Sequence, residues 1–262
     1  MKLGVNGVNS HIQMPKCVLK RFENQNHSFY YYDVEKGIIG SNGHAKTTNT
    51  QFGYYSEEVE KYLNDNIEAP FAKVLQFVDT TDFDDLGFVI SPEFQNNVKN
   101  FVYALIARDP SITSKVDEYS IFWNLLTEQS KHNFAAVKGA ELAQEQGFLD
   151  SFIVTFSINK TEKPFVLPMC GIYSYMLRDT RHVNLPVSPK MAITLAEQKG
   201  MPRLLNDNVV AMYAIEEETI VDRLNGWAFQ TQCNAGWGYV VSPEKNVLEE
   251  LLKTVKTERD KQ

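Results

Sequence analysis

Cysteine is scarce and scattered in this chain. Cys17, Cys170 and Cys233 are an odd count without close pairs. Neither a disulfide framework nor a Cys-based zinc site is expected, and a reducing cytoplasm is the natural setting. Histidine is equally dispersed: His11, His27, His44, His132 and His182 form no His-Glu-x-x-His or His-x-His pattern, so no metal centre is expected. No apolar run approaches the ~18 residues of a membrane span, which excludes a transmembrane helix. A charged stretch followed by an apolar one is missing at the N-terminus, so no secretion signal is expected. There is no P-loop and no Gly-x-Ser-x-Gly elbow, and Gly37, Gly40 and Gly43 lack the strand-to-helix context of a dinucleotide site. No cofactor is expected.

Basic residues are also outnumbered. Lys and Arg total 26 against 33 Asp and Glu, a net charge of −7. That argues against a protein coated in positive charge for nucleic acid, while leaving room for a local basic face. Repeats, low-complexity tracts and long Gly/Ser/Pro linkers are absent.

What is present is ordinary core material. The 262 residues are 43% hydrophobic and include 16 Phe, 12 Tyr and 3 Trp, enough to bury a sizeable core. One domain over residues 1–262 is the simplest reading, with 1–55 as a candidate subregion. In that subregion Pro15–Phe22 reads as a short helix, followed by an aromatic strand over Ser28–Val34. A turn near Glu35-Lys36-Gly37 then leads to a second strand around Ile38-Ile39, which suggests a hairpin, and a third extended piece lies near Phe52–Tyr55.

The middle reads as helical. Ser56 caps a helix with Val59, Leu63, Ile67, Phe71 and Val74 on one face. Ser91-Pro92-Glu93 starts another, ended by Asp109-Pro110. Further helices are expected over Thr113–Ser130 and His132–Gln146, the latter stopped by Gly147. Strands return at Ser151–Ile158, Phe165–Met169 and Met191–Ala196, this last after a rigid Leu185–Pro189 element. Asn206 or Asp207 would cap a long helix through Val209, Tyr213, Ile220 and Trp227. Trp237–Val241 reads as a final strand, and Ser242-Pro243-Glu244 opens an amphipathic C-terminal helix. The expected class is α+β: a helical middle with a mixed sheet built from N-terminal and C-terminal strands.

The order of these segments resembles a bacterial family known as domain of unknown function 4238. The residues that carry the likeness are His11, Pro15, Leu19 and Phe22 on the first helix, then Tyr30–Asp33, Phe52-Gly-Tyr54-Tyr55 and Arg108-Asp109-Pro110. Leu185–Pro189, Asn225 and Tyr239–Ser242 follow. The chain departs from the family's Ser-Asp-Asn-Pro element, reading Phe156-Ser157-Ile158-Asn159 instead, without the acid or the proline. Any activity that rests on that acid in relatives is in doubt here. The resemblance implies a cytoplasmic protein of bacterial or phage-related origin and no established reaction.

Two candidate sites remain. His11 is a candidate general base, because imidazole titrates near neutrality. Arg108 is a candidate anion ligand at a helix end. Lys16, Lys20 and Arg21 are candidate phosphate-binding residues, since Lys16 and Lys20 stand one helical turn apart while Val18, Leu19 and Phe22 face inward. The plainer alternatives are preferred: His11 bonding a backbone carbonyl, Arg108 satisfying helix carbonyls and pairing with an acid, and lysines solvating a surface. The rings of Phe29–Tyr32 suit core packing plus a protein interface. The leading expectation is therefore a binding or regulatory protein with a protein or ligand partner. The rival is an enzyme on nucleic acid or another phosphate ester, a nuclease-like effector in phage defence with His11 as base.

Overall fold

In a computed structural model of the chain, residues 9–83, 90–110, 126–198 and 212–259 are described. The architecture is α+β, as the segment pattern predicts. The chain separates into two units, each assembled from two stretches: residues up to Pro15 with Asn49–Ser151, and Lys16–Thr48 with residues from Phe152 onward.

In the first unit a short antiparallel ribbon pairs β1 (Asn9–His11) with β4 (Thr50–Phe52). Helix α2 (Glu57–Leu63) starts where expected: the Ser56 hydroxyl accepts the Val59 amide at 3.4 Å, and Glu57, Glu58 and Glu60 sit at the positive end of the dipole. It runs through a π turn at Asn64–Glu68 into α3 (Ala69–Thr80). The extra residue of that turn lets Leu63, Ile67 and Phe71, spaced four apart, all face the core. Helix α4 (Pro92–Arg108) begins at the Ser91 cap, whose hydroxyl accepts the Phe94 amide at 3.1 Å. Phe101 stacks on Phe71 with ring centres 3.7 Å apart, and Val98, Val102 and Leu105 extend the buried stripe.

The next helix starts earlier than its periodicity suggests. Thr127 caps α5 (Glu128–Phe134), which continues through a π turn at Ala135–Gly139 into α6 (Ala140–Glu145). Gly147 (φ +62°) ends it as expected. Most of the predicted Thr113–Ser130 helix lies outside the described residues.

The second unit opens with α1 (Lys16–Leu19), continued by a 3₁₀ turn at Lys20–Phe22. The predicted hairpin forms: β2 (Phe29–Asp33) pairs antiparallel with β3 (Ile38–Gly43) around Gly37 (φ +67°). These strands join β11 (Tyr239–Ser242) and β6 (Leu167–Pro168) in an antiparallel sheet of order β3-β2-β11-β6. This sheet does unite N-terminal and C-terminal strands. A second sheet, β10-β5-β9-β8-β7, comes wholly from the third section of the chain: β5 (Phe152–Asn159), β7 (Tyr173–Leu177), β8 (Thr180–Ser188), β9 (Met191–Glu197) and β10 (Met212–Ile215). It is mixed, with β10 parallel to β5 and the other pairs antiparallel.

The structure adds to the segment pattern at two places and corrects it at one. The rigid Leu185–Pro189 element belongs to β8 as far as Ser188, because Pro186 falls beyond the end of β7 and beside a bulge, where its missing N–H costs no ladder bond. Met212–Ile215 form a strand, not a helix. The long helix α7 (Glu218–Ala235) starts after them, and Asn206, Asp207 and Val209 lie outside the described residues. The β7–β8 hairpin was not anticipated at all.

Helix α7 and α8 (Lys245–Arg259) pack on these strands through Val221, Leu224, Ala228, Phe229, Val247 and Leu248, which meet Phe165, Val166, Tyr173 and Val240 in one core. Buried polar side chains are matched with care. Ser157, Thr194, Asn184 and Tyr173 form a hydrogen-bonded chain across four adjacent strands, so each hydroxyl or amide removed from water has a partner.

Candidate functional site

The basic candidates lie in the second unit. Lys16 and Lys20 are exposed on the helical entry, and Val18, Leu19 and Phe22 are fully buried beneath. The chain then turns at Asn24, whose side-chain oxygen accepts the Asn26 amide at 2.9 Å, and His27 takes φ +54°. The hairpin register sets Phe29 opposite Gly43. Residues just before β2 and just after β3 therefore meet at the open end of the hairpin. There His44 Nδ1 lies 2.8 Å from the His27 carbonyl. That contact makes Nδ1 the donor and leaves Nε2 as the acceptor of the neutral ring. The Ala45 amide donates to Glu23 Oε1 at 2.8 Å.

The result is an open hollow of about 450 Å³ lined by Lys16, Lys20, Lys46, His27, His44 and Glu23. Three ammonium groups face one carboxylate, and that carboxylate already receives a backbone amide. Among the described residues no ion pair engages Lys16, Lys20 or Lys46. A larger groove of about 610 Å³ along α7 and α8 is different: its Lys163 is paired with Asp222 at 2.5 Å and Glu250 at 2.7 Å.

Arg21 is drawn elsewhere. Its Nε donates to the Val187 carbonyl at 2.7 Å, tying the 3₁₀ turn to β8. Sequence reasoning found Lys16 and Lys20 through their helical spacing but missed Lys46, His27 and His44. Their proximity was implicit in the hairpin register, which sequence alone did not fix.

His11 and Arg108 belong to the first unit. His11 ends β1, opposite Thr50, and is half-exposed, whereas its neighbour Ser10 is buried. Strand alternation sends the two side chains to opposite faces. It is Ser10 that sits beside Glu60, favouring the carboxylate without reaching good hydrogen-bond geometry. Burial pushes the Glu60 carboxyl above the usual carboxylate range. Ser10 opposes this, the like charge of Glu68 adds to it, and Arg108 opposes it again.

Arg108 closes α4 and is 2% exposed. Its Nε donates back to the Ala104 carbonyl at 3.2 Å, and its Nη1 lies 3.5 Å from Glu68 Oε1. Tyr55 OH donates to the Ile12 carbonyl at 3.0 Å, and Tyr54 stacks on His132 with ring centres 3.7 Å apart. Burial holds the Tyr54 phenol up at about 12 despite Arg108 nearby. It also lowers the His132 pKa, more than the Tyr54 carbonyl and Glu128 raise it. Glu60 and Glu68 carried no signal in the sequence. Among the described residues no three His, Cys, Asp or Glu side chains gather to hold a metal ion, and no helix is long and apolar enough to cross a membrane.

No protein-family model, curated protein or solved structure matches the chain.

Proposed function

We propose that this is a ligand-binding protein that takes a phosphate-bearing anion in the basic hollow of its second unit. The observation that carries this reading is the convergence of Lys16, Lys20 and Lys46, free of ion pairs among the described residues, on one concave site with His27 and His44. In a chain of net charge −7, the gathering of three such cations in one hollow makes a local basic face. Ammonium groups bind phosphoryl oxygens through charge-assisted hydrogen bonds, and the His44 ring beside them is anchored through Nδ1 at the His27 carbonyl. The motif order supports placing the chain near the family known as domain of unknown function 4238. Cys17, Cys170 and Cys233 stay unbridged by disulfides, which supports work inside the cell.

Titration calorimetry with inorganic phosphate and pyrophosphate tests the reading. Saturable binding that weakens as salt is raised is expected, with Lys16→Ala or Lys46→Ala each costing about tenfold in affinity. Absence of saturable binding to either probe, or binding indifferent to both substitutions, overturns it.

A further inference from the structure

A buried guanidinium is expensive. Taking an ion out of water costs several kcal/mol even after relaxation, and the cost is recovered only when the charge is paired and its N–H groups are satisfied. Arg108 meets each condition only in part. Its side chain is 1% exposed, yet the ion pair it makes, to Glu68, spans 3.5 Å, beyond the short separation of a charge-assisted hydrogen bond. The Glu68 side chain is itself 27% exposed and so is partly held by water. Nη2 is buried and has no hydrogen-bond partner among the described residues. Among the described residues its one hydrogen bond is from Nε to the Ala104 carbonyl. The Nη1–Nη2 edge, which matches a carboxylate in bidentate geometry, is thus under-satisfied at the centre of the first unit.

We propose that the Nη edge of Arg108 is a binding site for the carboxylate of a small organic acid, with Glu68 as the internal group that the ligand displaces.

The exchange is balanced in charge. One carboxylate leaves the guanidinium for water, through the exposed side of Glu68, and another takes its place with two short bonds instead of one long contact. A phosphate dianion would add a negative charge beside Glu60, whereas a monocarboxylate leaves the balance unchanged. Neighbouring groups hold the receptor in place. Gln13 Nε2 donates to the Leu105 carbonyl at 2.8 Å, one turn before Arg108, and Tyr55 is fixed by the Ile12 carbonyl. These bonds and the Nε contact to the Ala104 carbonyl hold the end of α4 and the arginine stem, which lowers the ordering cost of binding. This site is separate from the basic hollow and does not depend on it.

The test uses the full chain and acetate as the probe, with ionic strength matched by sodium chloride. Side-chain ¹⁵N spectra of labelled arginine should show a saturable, acetate-dependent shift of the Arg108 resonances. Thermal unfolding should move upward over the same concentrations. Glu68→Gln, which removes the internal competitor's charge, should tighten acetate binding by at least about threefold. Arg108→Lys should abolish the acetate-dependent stabilisation if it folds. If it does not fold, the Glu68→Gln comparison and the arginine spectra decide. No saturable shift in the parent chain, unchanged or weaker affinity in Glu68→Gln, or acetate stabilisation that survives in a folded Arg108→Lys protein overturns the proposal.

Discussion

The Asn225 side chain accepts the Val166 amide at 3.0 Å, and from its other end it donates to the Pro164 carbonyl at 2.9 Å. One buried amide on α7 thereby reads both polar groups of an adjacent backbone segment leading into β6. Gln232, two turns further along the same helix, ties the other end of that segment to the turn that follows α7. It accepts the Cys170 amide at 2.7 Å and donates to the Trp237 carbonyl at 2.5 Å. The segment between needs little strand pairing of its own, which is why β6 is only two residues long.

Replacing Asn225 by Ala strands a buried N–H and a buried C=O at once. A loss of about 3 kcal/mol in unfolding free energy is expected, since each orphaned group carries its own desolvation penalty. Urea denaturation checks it, and a loss under about 1 kcal/mol would show that water or relaxation satisfies both groups.

Asn225 also illustrates how much could be read from the sequence. The residue stood out in the motif order, but its position in the fold makes it an architectural clamp between α7 and the β6 segment. Local signals were read well. The serine caps at Ser56 and Ser91, the Gly37 turn and the amphipathic C-terminal helix all lie where spacing put them. Failures came where long-range pairing or unusual turn chemistry decides. The β7–β8 turn uses Arg178 (φ +47°) and Asp179 (φ +63°), so it lacks the glycine that normally announces such a hairpin. Met212–Ile215 becomes a strand through its parallel partner β5, some fifty residues earlier, which no local window contains. The candidate site followed the same rule. Lys16 and Lys20 were legible from helical spacing, while His44 and Lys46 depended on the β2–β3 register.

That register rests on aromatic rings laid over glycines. A Cβ at Gly43 would sit 2.3 Å from Cε2 of Phe29, its cross-strand partner, and Phe29 is 1% exposed with nowhere to move. Gly43→Ala should therefore cost about 2 kcal/mol, the usual scale of overpacking. It should also weaken phosphate binding by disturbing His44 and Lys46, the residues that follow. Combined with Phe29→Leu, the same substitution should cost less than it does alone, a coupling that a double-mutant cycle reads directly. Additive losses would mean that ring and glycine do not determine one another.

Glu60 gives the first unit a pH dependence of defined sign. Burial raises its folded-state pKa above the ordinary 4.5, with Ser10 opposing, Glu68 adding and Arg108 opposing again. A carboxyl whose pKa is raised on folding stabilises the fold most below its unfolded pKa, and that contribution is lost as pH rises through the folded value. The parent chain should thus lose stability relative to Glu60→Gln as pH rises from the ordinary carboxylate value through the raised one, because the amide is neutral throughout. The group is only partly buried, so solvent screening keeps the difference below about 1 kcal/mol. Paired urea titrations across that range decide the matter. A variant that is less stable than the parent at pH 7, or a difference that does not change with pH, would show that Arg108 and Ser10 outweigh burial and keep Glu60 charged.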